Sequence, residues 1–103
     1  MNIKLAKTEI IHFIGIGGIG MSGLSLIMKS RGFKVQGSDI FLNKNIERLK
    51  KQKIKIFIGQ KKKNLKNATI VVISSAIKKN NPEIIEAKKK NLPIISRGKM
   101  LAH

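Results

Sequence analysis

The sequence predicts an α/β fold, a doubly wound parallel sheet of five strands in the order 3-2-1-4-5, and three observations carry that expectation. Ile10-Ile11-His12-Phe13-Ile14 is a continuous run of β-branched and aromatic residues, the pattern of a strand covered on both faces. A glycine-rich turn follows it and opens a helical pattern. Strand-like and helix-like segments then alternate to the end of the chain, the rhythm that right-handed crossovers impose on a parallel sheet with helices on both faces.

Each element has its own local reason. Gly18 to Arg31 places Leu24, Ile27 and Met28 at i, i+3 and i+4, an apolar helical stripe, and Gly32 stands where a helix-ending glycine belongs. Phe33 to Gly37 reads as the second strand. Asn43 to Lys53 carries Ile46 and Leu49 on an otherwise polar helix, and Ile54 to Ile58 makes the third strand. Lys61-Lys62-Lys63-Asn64 reads as a charged loop. Thr69 to Ser74 is the most strand-like run in the chain and is expected at the centre of the sheet. Asn81-Pro82-Glu83 is a helix start in which Asn accepts from an orphan amide, Pro suits the first turn and Glu complements the positive dipole end. That helix runs to about Asn91. Pro93 to Ser96 gives a fifth short strand, and Arg97 to His103 begins a helix expected to continue past the last residue. With no repeat beyond this rhythm and no low-complexity linker, residues 1–103 are expected to form one domain.

Composition excludes more than it suggests. There is no cysteine, which removes disulfides, thiol catalysis and cysteine-based zinc sites, and two histidines leave little for a histidine-based metal site. The chain has no Ser-His-Asp order, carboxylate pair or H-E-x-x-H, so no catalytic residue and no metal ligand is expected in it. It also lacks G-x-x-x-x-G-K-[ST], the loop that would hold ATP phosphates. Met1 to Glu9 has no apolar signal region, and the longest apolar stretch, Ile10 to Met21, is broken by four glycines and too short to span a bilayer. A cytoplasmic protein with no membrane partner is the expectation. Lys and Arg number 22 against 5 acidic residues, a net charge of +17, with clusters at Lys61–Lys63 and Lys88–Lys90. Nineteen of the basic residues are Lys, beside 19 Ile and 8 Asn, the skew an AT-rich coding sequence produces. There is no Trp or Tyr to stack on bases, so only weak, salt-sensitive phosphate contact is expected, and no specific nucleic-acid partner.

The candidate site is the first strand-to-helix turn, Gly15-Ile16-Gly17-Gly18-Ile19-Gly20-Met21-Ser22-Gly23, which holds G-x-G-x-x-G at Gly15, Gly17 and Gly20. Between a strand and a helix, such a Rossmann-like turn lets backbone amides approach a diphosphate, because no Cβ blocks the contact and the helix dipole favours the anion. Asp39, 19 residues after Gly20, could accept from ribose hydroxyls or could cap the turn that follows it. Ser74, Ser75 and Ala76 lie at the carboxyl end of the fourth strand, where open sheets bind ligands, although two serines there more commonly bond to local backbone. His12, inside the first strand, reads as a satisfied core histidine, and His103 carries no interpretation.

His12 through Gly23 resembles the N-terminal signature of the Mur ligase family in the form carried by its alanine-adding members. The similarity continues in order through Gly37-Ser38-Asp39, Ser74-Ser75-Ala76-Ile77, Asn81-Pro82-Glu83, Pro93 to Arg97, and Met100-Leu101, so it spans nearly the whole chain. The resemblance implies an ATP-dependent ligase of peptidoglycan synthesis with three domains: a Rossmann-like one holding UDP-N-acetylmuramate, a central ATPase and a C-terminal amino-acid domain. Residues 1–103 would be the first of these, inactive alone. ATP and magnesium would act in the other two, which would be its partners. By the same resemblance Gly15, Gly17, Gly18, Ile19, Gly20, Met21 and Ser22 would surround the diphosphate, while Ser38, Asp39, Gln60, Ser74, Ser75 and Ala76 would line the uridine side. Two departures stand out: Gly59-Gln60 replaces the usual Gly-His beside the uracil, and Gly98-Lys99 replaces Ala-Glu.

The turn alone fits NAD as well as UDP, so an NAD-binding module of an oxidoreductase or redox sensor is the alternative. It explains the glycines and Asp39 but none of the later blocks.

Overall fold

The computed structural model describes residues 5–101. Its strands are β1 (Ile10–Ile14), β2 (Lys34–Asp39), β3 (Lys55–Ile58), β4 (Ile70–Ile73) and β5 (Ile94–Ser96), all parallel and ordered β3-β2-β1-β4-β5 as the sequence predicts. The helices are α1 (Ile19–Ser30), α2 (Lys44–Lys51), α3 (Pro82–Lys89) and α4 (Arg97–Leu101). The run expected to be central, β4, lies between β1 and β5, and the midpoint is β1. His103 lies outside the described residues.

Alternation along β1 divides the core. Ile11 and Phe13 point to the face covered by α1, α2 and α4, where they meet Leu24, Met28, Ile46, Leu49 and Met100. His12 and Ile14 point to the face covered by α3, where Ile14 packs with Leu65, Val71, Ile84 and Ala87. Register extends the division to β2: His12 stands opposite Gln36 and Ile14 opposite Ser38, so these two polar side chains share the α3 face.

Three local expectations need correction. The buried residues of α1 are Met21, Ser22, Leu24, Ser25 and Met28, and Ile27 is 40% exposed, so the buried face is centred to one side of the expected stripe and takes in two serines. The charged loop contains a 3-10 turn, Lys62–Leu65, whose Asn64 and Leu65 are buried while the lysines stay in water. The second strand runs to Asp39, beyond Gly37, because the β1 and β3 pairings continue through Ser38 and Asp39. The termini behave as read: Gly32 follows the Arg31 cap of α1 with φ +90°, and Asn81 caps α3 by accepting from the Glu83 amide at 2.8 Å, with Pro82 in the first turn.

Candidate functional site

The glycine turn is built by its neighbours. Gly15 turns the chain at φ +79°, and the Ser38 carbonyl at the end of β2 accepts from both the Gly15 and Ile16 amides at 2.9 Å. The Gly17 peptide is clamped on both sides: its amide donates to Asp39 Oδ2 at 2.7 Å and its carbonyl accepts from Asn45 Nδ2 at 2.9 Å. A Cβ on Gly17 would stand 2.7 Å from Asp39 Oδ2 and 3.0 Å from Ile46 Cδ1, so any side chain here would push the Asp39 carboxylate off the Gly17 amide. Asp39 Oδ1 accepts the Ile40 amide at 2.8 Å. The carboxylate therefore both caps its own turn and holds the glycine turn.

Beyond the clamp, α1 opens with donors to spare. Gly18 is its N-cap and offers no side chain, and the first intrahelical bond is Ser22 to the Gly18 carbonyl at 2.8 Å. The Gly18 amide donates to the Gly15 carbonyl at 3.1 Å. The amides of Ile19, Gly20 and Met21 have no hydrogen-bond partner among the described residues, and they sit at the positive end of the helix dipole. Arg97, the first residue of α4, lies against Gly20: its Cδ, Nε and Cζ come within 3.1–3.3 Å of where a Gly20 Cβ would stand. No carboxylate pairs with it among the described residues. Sequence reasoning did not single out Arg97 as a site residue, since only the sheet brings the end of β5 beside α1.

A cleft of about 530 Å³ lies at the carboxyl ends of the strands, where chain connections leave for opposite faces. Gly15, Asp39, Gln60 and Ala76 line it among the expected residues, together with Ile40, Ile77 and Asn81. Gly17 and Met21 are buried and Gly18, Ile19 and Gly20 are exposed, and none of the five is among the residues lining the cleft. Ser74 is half-buried and its Oγ accepts from the Ala76 amide at 3.4 Å, the local role expected of it, while Ser75 is exposed. Ser22 turns its hydroxyl back to the Ile19 carbonyl at 3.1 Å. Ser38 does not line the cleft. Its side chain is fully buried on the α3 face, because residue alternation in β2 turns it away from Asp39.

Beneath the cleft is a polar cluster that the sequence did not disclose. Glu83 Oε1 accepts from Ser38 Oγ at 2.6 Å and lies 2.7 Å from His12 Nε2, and its Oε2 accepts from Asn64 Nδ2 at 2.7 Å. Gln36 Nε2 donates to the Asn64 carbonyl at 3.0 Å and faces His12 Nδ1 at 2.8 Å. A backbone carbonyl only accepts, so the Gln36 nitrogen is a donor, His12 Nδ1 accepts from it, and the ring carries its proton on Nε2 toward Glu83. His12 is thus the satisfied core histidine expected. A sequence signal did exist, since a polar residue amid the apolar β1 and β2 demands a buried partner. The carboxylate stands in the first turn of α3, where the helix dipole supports its charge.

Comparison with known proteins follows this geometry. A family model described as "Mur ligase family, catalytic domain" matches residues 10–103. A UDP-N-acetylmuramate–L-alanine ligase of Pelagibacter ubique is 75% identical over 103 residues, covering all of this chain and 22% of that protein. Among solved structures, the UDP-N-acetylmuramate-alanine ligase MurC of Thermotoga maritima superposes with a TM-score of 0.85 at 37% identity, over 88% of this chain and 21% of that one. A UDP-N-acetylmuramate:L-alanyl-gamma-D-glutamyl-meso-diaminopimelate ligase of Neisseria meningitides gives a TM-score of 0.85 at 31% identity, over 91% of this chain and 30% of that one. The chain spans about a fifth of the length of the curated relatives it matches.

Proposed function

The chain belongs to the Mur ligase family, and from that premise we propose that it is the UDP-N-acetylmuramate-binding part of a ligase that joins L-alanine to that sugar nucleotide in peptidoglycan synthesis. The observation that carries the reading is the row of unpartnered amides at Ile19, Gly20 and Met21 with the Arg97 guanidinium beside it. Three donors at a helix N-terminus and a flanking cation suit a diphosphate, and the adjoining cleft has room for a nucleoside. Asp39 holds the turn in this receptive shape. The alanine-adding assignment rests on likeness to relatives of that name.

The residues present do not fit ATP or magnesium. The sequence lacks the phosphate-binding lysine loop, and among the described residues no three His, Cys, Asp or Glu side chains gather to hold a metal. On this reading the carboxyl activation that ATP and magnesium support belongs to other parts of the ligase. These residues contribute substrate capture: they fix the diphosphate and the uridine so that the muramoyl end is presented outward. Within the described residues no helix is long and apolar enough to cross a membrane.

Calorimetric titration of the chain with UDP-N-acetylmuramate, UDP and NAD at two salt concentrations tests the proposal. Saturable binding of both uridine ligands without NAD is expected. Binding of NAD alone would replace it with the oxidoreductase reading.

A further inference from the structure

On the α3 face the outer strands β2 and β3 leave a second cavity, and two buried carboxamides open on it. Register sets Lys55 and Phe57 of β3 opposite Gln36 and Ser38 of β2, so these side chains rise on the same face. Residues of the 3-10 turn Lys62–Leu65 and of the segment after it supply the facing wall. The cavity they enclose measures about 270 Å³ and shares no lining residue with the cleft at the glycine turn. Gln36 and Asn64 line it, with Phe57 and Asn67 beside them and Lys55, Lys63 and Lys66 around them.

Both carboxamides are fixed in orientation by the polar cluster. Gln36 Nε2 donates to the Asn64 carbonyl at 3.0 Å and to His12 Nδ1 at 2.8 Å, so the other terminal atom of Gln36 is the acceptor Oε1. Asn64 Nδ2 donates to the Gly59 carbonyl at 2.8 Å and to Glu83 Oε2 at 2.7 Å, which leaves the acceptor Oδ1. Neither oxygen has a hydrogen-bond partner among the described residues, although Gln36 is only 7% exposed and Asn64 only 4%. No sealed side-chain polar atom there lacks a partner, so these two oxygens are not sealed in: they are the part of each side chain left open.

The surroundings narrow what would fill them. Lys55, Lys63 and Lys66 are exposed, and none pairs with a carboxylate among the described residues. Three positive charges repel a simple cation that two carbonyl oxygens would otherwise attract, and two carbonyl oxygens offer nothing to a bare anion. An occupant that suits both carries N–H donors inward and negative charge outward. The Phe57 ring gives it a flat apolar wall, with Lys55 Nζ 5.0 Å from the ring centre.

We propose that this cavity is a second small-molecule site, which takes an aromatic amine bearing a negative group: the amine donates to Gln36 Oε1 and Asn64 Oδ1, the ring lies against Phe57, and the negative group meets Lys63 and Lys66. The site is independent of the sugar-nucleotide reading and stands or falls without it.

The test is titration of the chain with 4-aminophenyl phosphate and with phenyl phosphate, which share ring and charge and differ by the amine alone. The amine should raise affinity by about tenfold or more, because without it the two acceptors face an apolar ring edge. The double variant Lys63→Gln with Lys66→Gln, altered only at exposed positions and checked for folding by circular dichroism, should weaken both probes by about tenfold. Phe57→Leu, which keeps an apolar wall but no ring, should weaken both by about fivefold. In a nitrogen-15 spectrum the amides of Phe57, Asn64 and Asn67 should shift with 4-aminophenyl phosphate while those of Ile19, Gly20 and Met21 stay in place. A parallel titration with 4-aminobenzoate identifies the negative group, the tighter of the two amines telling phosphate from carboxylate. Equal affinity for the two phenyl phosphates, no binding of either, binding that the lysine variant leaves unchanged, or shifts confined to Ile19, Gly20 and Met21 overturns the proposal.

Discussion

The two faces of this sheet are sealed by different physics. On the α1, α2 and α4 side, Ile11, Phe13, Val35 and Val72 meet helix side chains that are almost wholly apolar, and any set of similar volume would serve. On the α3 side the same strands present His12, Gln36 and Ser38 to a carboxylate and an asparagine, and every buried side-chain polar atom there has a partner. An apolar face tolerates exchange because dispersion and burial have no direction. A hydrogen-bonded face fixes its members, because removing one strands the rest in a medium without water. The fixed face is also the one beneath the cleft: Ser38 supports the glycine turn through its carbonyl, and Glu83 follows the Asn81 cap that orients Gln60.

The largest expected effect comes from breaking the polar face at its hub. Glu83→Ala removes the acceptor of Ser38, His12 and Asn64 together and should cost about 3–5 kcal/mol in urea unfolding. Glu83→Gln keeps the shape and should cost less. Adding His12→Leu to Glu83→Leu should cost less than the two single changes summed, by roughly 0.5–3 kcal/mol, because each single change already orphans the other partner. Additive losses would mean that the cluster is a set of independent contacts, and the contrast between the faces would fail.

How far the sequence disclosed these faces follows from the same distinction. Burial of apolar runs is a local property, so the strand order, the helix caps and the glycine turn are legible from spacing alone. The polar cluster joins residues from β1, β2, the 3-10 turn and α3, and its meaning lies in their meeting. Asn64 illustrates the difficulty: in Lys61-Lys62-Lys63-Asn64 it looks solvated, yet it is buried and makes two side-chain bonds. The resemblance puts Ser38 on the uridine side together with Asp39, and alternation in β2 sends the two side chains to opposite faces. Asp39 shows both cases at once: its bond to the Ile40 amide is the local cap the sequence offers, while its bond to the Gly17 amide joins backbone 22 residues away.

A second, intermediate effect sharpens the apolar side. Gly37 lies under Ile16, and an added Cβ would come within 2.6 Å of Ile16 Cβ and 2.7 Å of the Phe13 carbonyl oxygen. Because one of those atoms is backbone, a rotamer change cannot relieve the contact, and Gly37→Ala should cost about 1–3 kcal/mol. The strain falls on the segment leading into the glycine turn, so affinity for UDP should fall with stability. A chain that loses neither would show that even this tight point of the apolar face can repack.

The smallest effect lies where the two descriptions meet. Asn81 is the N-cap of α3 and also the group that aims Gln60, and Asn81→Ala removes one capping bond, worth about 1 kcal/mol of stability. Asn81→Ser restores a cap but cannot reach Gln60 with a second donor, so it separates the roles. If the bond to Gln60 adds to stability, the serine variant recovers only part of the loss in urea unfolding. If the loss is recovered in full, Asn81 is a cap and nothing more.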